Sequence, residues 1–234
     1  MIVWKNASFK IISEIDPKAI VLIPIGTVEA HGNHLPLNTD TLIPQHLCRQ
    51  ISKKIDSVIA PEINFGICDS LIKFPGTITF RPQTLTMLLN DYLNSIVGHG
   101  FKNIYILNGH GGNEEVLANI VKTFSPKVKI KSKDWYDFDY IRQLKALDHS
   151  YHGDHADRLE TEMVLHSDTA KVDLSHAVDD YFEWPNPDPV EYSQIMTHAV
   201  YGYPSKADPV SAKNNFNKIV DLLVQDINNF LKNK

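Results

Sequence analysis

The clearest periodicity in the chain closes it. Across residues 211–232, Phe216, Ile219, Val220, Leu223, Val224, Ile227, Phe230 and Leu231 return every three or four positions, which puts them on one face of an amphipathic helix. The same spacing predicts a helix over 83–97, through Leu85, Leu88, Leu89, Tyr92, Leu93 and Ile96, stopped by Gly98 and Gly100. It predicts another over 114–124, through Val116, Leu117, Ile120, Val121 and Phe124. Residues 41–55 read as a helix with Pro44 near the first turn, where proline is tolerated. Between these lie short apolar runs. Residues 20–25 (IVLIPI) are apolar throughout and predict a strand buried on both faces. Residues 103–107 (NIYIL), 58–59 and 128–130 are shorter strand signals. Strand and helix signals alternate, which gives βαβ units and a parallel sheet covered on both sides.

Residues 179–209 break the pattern. They carry five prolines (Pro185, Pro187, Pro189, Pro204, Pro209) among Trp184, Tyr192, Tyr201 and Tyr203, so no long helix is expected. Two readings stay open: a surface loop packed by its own aromatics, or a lid or oligomer contact over the site, since aromatics are enriched at interfaces.

Composition narrows the class. The 234 residues are 43% hydrophobic and 22% charged, as in a soluble globular protein, and 1–234 is expected to form one domain. A formal net charge of −5 argues against sequence-independent nucleic-acid binding. Cys48 and Cys68 imply no disulfide framework; buried thiols in a reducing compartment are expected. No apolar run approaches the roughly 20 residues of a membrane span, and MIVWKNASFK lacks the apolar stretch of a signal peptide. The expectation is a cytoplasmic protein without membrane contact.

The chemistry concentrates in three places. EAHGNHLPLNTD, directly after the apolar run 20–25, brings Glu29, His31, His34 and Asp40 within twelve positions. The loop leaving a strand's carboxyl end is where open α/β sheets place ligands. NGHGGN, at a predicted strand-to-helix turn, carries His110; its glycines come without the Lys-Ser/Thr of a phosphate-binding P-loop. YHGDHADRLETE offers His155, with Asp157 as a plausible N-cap and Glu160 three residues on. Glu162 and Asp168 read as solvated, His152 as a surface residue, and His176 and His198 as ordinary polar residues.

These segments, with FPGTITF at 74–80, resemble the creatininase family, whose blocks E-x-H-G-x-H-L-P-L-x-T-D, N-G-H and H-A-x-x-x-E-T occur here in the same order. The resemblance spans residue 20 to about 165. It implies a three-layer α/β/α sandwich with a mainly parallel central sheet, and a metal-dependent amidohydrolase acting on a small cyclic amide or formamide. It implies two divalent ions per chain, zinc first, with manganese or iron as alternatives; carboxylate and imidazole donors without thiolate suit all three. Glu29 and His110 would bind one ion and His31 the other, with Asp40 bridging and His155 transferring protons. It also implies a homo-oligomer, a hexamer.

The chain departs from the pattern in two places. Gly111 and Gly112 stand where creatinine-hydrolysing members have an aromatic residue and a metal-binding glutamate. Glu160 is the residue expected to supply the missing carboxylate, with Glu114 its rival. Tyr151 replaces a tryptophan, and Trp135 is a candidate aromatic wall; with Gly111 these are the expected substrate contacts. The family also contains deformylases of cofactor biosynthesis, a peptide-trimming enzyme and hydrolases of carbocyclic sugar derivatives. A non-catalytic metal-binding member is the alternative from another class.

Overall fold

A computed structural model describes residues 1–167, 172–181 and 195–232. Strands β1 (Ile2–Val3), β2 (Ile20–Ile25), β3 (Ser57–Ile59), β4 (Asn103–Asn108) and β5 (Lys129–Asp134) form one parallel sheet in the order β1-β3-β2-β4-β5. Helices α1 (Phe9–Ser13), α2 (Thr39–Ile51), α3 (Pro82–Gly98), α4 (Glu114–Phe124), α5 (Asp139–Leu147), α6 (Arg158–Leu165) and α7 (Pro209–Lys232) connect and cover it. A small antiparallel pair, β6 (Gly153–His155) with β7 (Tyr201–Gly202), lies outside the main sheet.

The period-2 geometry of the strands sorts the core into two layers. Ile20 and Leu22 of β2 and Tyr105 and Leu107 of β4 pack with Leu47 and Ile51 of α2, Met163 of α6, and Phe216, Ile219 and Leu223 of α7. Val21, Ile23 and Ile25, with Ile104 and Ile106, pack against Leu85, Leu89 and Leu93 of α3 and Leu117 and Ile120 of α4. Every residue of β2 is buried, as its unbroken apolar run requires. The three-layer α/β/α sandwich expected from the sequence is what forms.

The predicted elements fall close to the observed ones, and 114–124 coincides with α4. Strand β5 runs four residues past the predicted end at Ile130: Lys131, Ser132, Lys133 and Asp134 carry no apolar signal, but they pair with residues 105–108 of β4. It is an edge strand, and lysines on an exposed edge discourage pairing with other chains.

The connections set the site. From β2 the chain passes to β3 on one side, and β4 then pairs with β2 on the other. The switch point lies at the carboxyl ends of β2 and β4, where this architecture leaves a crevice. Two glycines let the first turn of α2 settle into it. A Cβ on Gly26 would lie 2.3 Å from the Asp40 backbone, and one on Gly109 only 1.9 Å from the Asp40 carbonyl oxygen. Asp40 is thereby seated between the two strand ends.

Of the proline- and aromatic-rich stretch, Trp184, Pro185, Pro187, Pro189 and Tyr192 lie outside the described residues, as does Asp168. The described part packs inward as well as on itself. Met196 is buried with Cys68 and Leu71, and the Ala199 carbonyl accepts from Gly32 N in the β2 loop at 2.9 Å. Tyr181 stacks with both Tyr201 and Tyr203, with centroids 5.3 and 5.2 Å away. No helix among the described residues is long and apolar enough to cross a membrane.

Candidate metal centre

Six side chains converge beyond the ends of β2 and β4: Glu29, His31, Asp40, His110, His155 and Glu160. Except for His110 and Glu160, which are partly exposed, all are buried. The three imidazoles share one local arrangement. His31 Nδ1 donates to the Glu29 carbonyl at 3.1 Å, His110 Nε2 to the Ile67 carbonyl at 2.7 Å, and His155 Nε2 to the Ala30 carbonyl at 2.8 Å. A carbonyl can only accept, so these bonds put a proton on that ring nitrogen and turn the other toward the carboxylates.

The turned nitrogens meet the carboxylates in two groups. His31 Nε2 is 3.0 Å from Asp40 Oδ1 and 3.7 Å from Glu160 Oε2. His110 Nδ1 is 3.0 Å from Asp40 Oδ2 and 3.3 Å from Glu29 Oε1. Asp40 thus gives one oxygen to each group. His155 Nδ1 is 3.5 Å from Glu29 Oε1, and its ring lies 4.4 Å from that of His31. His31, Asp40 and Glu160 offer three donor atoms within 4.8 Å of one another, and so do Glu29, His31 and His155.

The electrostatics follow from this crowding. Burial alone would depress His31, but Asp40, Glu160 and Glu29 outweigh it and hold its pKa up at about 10. His110 is likewise raised, against the cost of burial, by Glu29 and Asp40. Burial opposes the Asp40 charge, yet His31 and His110 hold its carboxyl far below the usual range. Burial pushes Glu160 well up, helped by Asp40 and Asp157 and opposed by His31. His155, desolvated and next to His31, is depressed to about 4. Fully buried, His31 Nε2 and Asp40 Oδ2 are left without a well-angled hydrogen bond. Unsatisfied donors and acceptors at this depth are costly. Convergent carboxylates and imidazoles whose free atoms face each other are what divalent cations need, so the residues present fit the metals expected from the sequence.

The two candidates for the missing carboxylate separate. Glu160 sits in the first turn of α6, whose N-cap Asp157 accepts from Glu160 N at 2.9 Å. Its Oε2 accepts from Ala156 N at 2.6 Å and faces His31. Glu114 instead accepts from Tyr136 Oη at 3.1 Å and belongs to none of the three-donor groups among the described residues. At Gly112 a Cβ would lie 2.0 Å from the Ile67 carbonyl oxygen, so a glutamate there has no room.

A cavity of about 360 Å³ opens onto these residues. Trp135 and Gly111 line it, with Tyr136, Lys145, Leu71 and Leu159. The indole Nε1 of Trp135 is buried without a partner. Tyr151 does not line this cavity, which corrects the expectation of a substrate contact. Its hydroxyl donates to Glu162 Oε2 at 3.1 Å and accepts from Asn215 Nδ2 at 3.0 Å, and the Arg158 guanidinium lies 4.0 Å above its ring. Glu162 is likewise not solvated: it is fully buried and paired with Arg158 Nε at 2.8 Å. The i,i+4 spacing of Arg158 and Glu162 was the available signal. Asp154, next to His155 in the chain, is exposed and paired with Lys145 at 2.6 Å.

Sequence reasoning missed three further participants. Asn113, fully buried, accepts from Ile67 N at 3.1 Å and donates to the Gly26 carbonyl at 3.2 Å, tying three loops together. The Ala30 carbonyl fixes His155. Cys68 donates its thiol to Glu29 Oε2, placing a sulfur beside a donor set expected to lack one.

The family model described as creatinine amidohydrolase matches residues 7–227. The chain belongs to the creatininase family. Among curated relatives, a mycofactocin precursor peptide peptidase of Mycolicibacterium smegmatis is 37% identical over 108 residues, covering 44% of this chain and 43% of that one. The creatinine amidohydrolase of Pseudomonas putida is 27% identical over 104 residues, 42% of this chain and 40% of that one. A 3-dehydro-scyllo-inosose hydrolase of Thermotoga maritima is 27% identical over 125 residues, 50% and 39% of the two chains. The matched parts thus span about two fifths of these relatives' lengths. A mutant creatininase of Zn-Zn type superposes with a TM-score of 0.86 at 20% identity, covering 99% and 98% of the two chains. A putative creatinine amidohydrolase of Bacteroides fragilis gives 0.80 at 20% identity over 100% and 97%. These superpositions establish the creatininase fold. All three named relatives are hydrolases, and they differ in what their names say they act on.

Proposed function

We propose that this chain is a binuclear metallohydrolase that cleaves a C–N bond of a small cyclic amide or formamide. The observation that carries the reading is Asp40, whose two oxygens face His31 and His110 separately at 3.0 Å each. Glu29, His110 and Asp40 would hold one ion, and His31, Glu160 and Asp40 the other. Two divalent ions bound there, zinc first and manganese or iron as alternatives, would lower the pKa of a shared water and polarise the carbonyl under attack.

The chain's own groups do the rest. His155 keeps Nε2 on the Ala30 carbonyl and so has Nδ1 free to accept the proton released during attack. It then delivers that proton to the departing nitrogen, which is a poor leaving group until protonated. A cavity of about 360 Å³ suits a small molecule. Trp135 walls it, and at Gly111 no side chain covers it, unlike the aromatic of creatinine-hydrolysing members. A second reading is peptide trimming, favoured by the 37% identity to a peptidase. The same reading includes a homo-oligomer, a hexamer, as part of the proposal, and light scattering would test its mass.

The test is elemental analysis of the reconstituted chain together with hydrolysis assays on cyclic amides, formamides and short peptides. Two ions per chain and turnover of a cyclic amide or formamide support the proposal. Turnover of peptides alone selects the second reading. Metal without turnover on any class points to a non-catalytic binding protein.

A further inference from the structure

We propose that Cys68 is a positioning residue for the Glu29–His110 half of the centre: its thiol holds Glu29 Oε2 from behind, so that Oε1 alone is presented to the ion. The assignment rests on the binuclear reading above. The two oxygens of Glu29 have different surroundings. Oε1 faces three imidazole nitrogens, those of His110 at 3.3 Å, His155 at 3.5 Å and His31 at 4.0 Å. Oε2 turns to the Cys68 thiol.

The adjacent residue treats the other ligand of this half-site in the same way. The Ile67 carbonyl takes His110 Nε2 at 2.7 Å, leaving Nδ1 to face Glu29 and Asp40. Two consecutive residues therefore brace the backs of two ligands. The loop that carries them is held in place: Asn113 Oδ1 accepts from Ile67 N at 3.1 Å, and Thr79 Oγ1 from Cys68 N at 2.9 Å. Met196 and Leu71 pack with Cys68, which is 2% exposed and absent from the cavity wall. A group in that place does not meet substrate, but it can fix a carboxylate that does meet metal. Such outer partners orient ligands, and losing one costs about 10–100-fold in metal affinity. The sulfur also lies within 4.8 Å of Glu29 and His110 donor atoms, so direct ligation is the competing arrangement that the experiment must separate.

The full chain is titrated with zinc against a chelator, and with cobalt(II) under visible and near-ultraviolet absorption. The assignment predicts two bound ions and no thiolate-to-cobalt charge-transfer band. Cys68→Ala should weaken one of the two zinc affinities by about 10–100-fold and leave the other unchanged. Cys68→Ser, which keeps a donor, should restore most of the loss. Cys48→Ala, which empties a buried site elsewhere in the core, should leave both affinities intact. A charge-transfer band that disappears in Cys68→Ser would make the sulfur a ligand and overturn the assignment. So would an unchanged affinity in Cys68→Ala, or a serine variant as weak as the alanine one. A wild-type chain that binds neither metal overturns the binuclear reading, and this assignment with it.

Discussion

Asp40 Oδ2 and His110 Nδ1 stand 3.0 Å apart, although one belongs to the first turn of α2 and the other to the loop after β4. The other Asp40 oxygen is equally close to His31. Removing this carboxylate therefore takes a donor from both half-sites. Asp40→Ala is expected to lose both ions together, in contrast to substitutions on either flank. Elemental analysis after dialysis decides it; retention of one tightly held ion would mean that Asp40 serves a single site.

Metal uptake should expel protons. Without metal, Asp40, Glu160 and Glu29 hold His31 up at about 10, and Glu29 and Asp40 raise His110 well above its ordinary value, so both rings keep their second proton to higher pH than a free imidazole does. An ion needs the lone pair. Below the raised pKa each ion displaces one imidazole proton, so affinity falls as pH falls, by about tenfold per pH unit per displaced proton. Calorimetry in buffers of different ionisation enthalpy counts those protons, and a count of zero would remove both histidines from the ligand set.

Glu160 and Glu114 offer a direct contrast. Glu160→Gln should weaken the ion on the His31 side, because Glu160 Oε2 faces that imidazole at 3.7 Å. Glu114→Gln should leave metal content unchanged, since Glu114 is occupied with Tyr136. The reverse ranking in a metal titration would exchange their roles.

His155→Ala should keep both ions and lose roughly 10²–10⁴-fold in kcat, the usual worth of an acid–base group. Metal content and turnover must be measured on the same preparation. Because Glu29, His31 and His155 donors lie within 4.8 Å of one another, loss of an ion in this variant would make His155 a ligand instead.

Away from the centre, Arg158 and Glu162 link α6 to α7 through Tyr151 and Asn215. Arg158→Ala leaves a buried carboxylate without its cation, which costs about 3–5 kcal/mol of stability. Arg158→Met combined with Glu162→Gln should cost less than the two single changes added. Urea denaturation of the four proteins gives the coupling, and strict additivity would show that the pair does not interact.

The scaffold was legible because its strands are apolar where they are buried on both faces, as in residues 20–25, and because its long helices keep a regular apolar stripe. Legibility failed where side chains answer to partners distant in sequence. Tyr151 was expected at the substrate but belongs with Asn215 of α7. Cys68 meets Glu29 only because the loop after β3 folds over the end of β2. The small β6–β7 pair joins Gly153–His155 to Tyr201–Gly202, two segments too short and too glycine-rich to show a strand period. Asp157 and the six convergent side chains could be found from local motifs, since each lies at or just past a strand end or in a helix's first turn.

Gly26 and Gly109 hold the Asp40 backbone against the two strand ends with no side chain between. The spacing of the two half-sites is thus written in main-chain contacts. The outer part of the cavity wall comes from other places: Trp135 just past β5, Lys145 on α5, Leu71 in the loop before α3. Ruler and outer glove come from different segments of the chain. A chain built this way can change the molecule it accepts by remodelling the wall while the seat of Asp40 keeps one gauge.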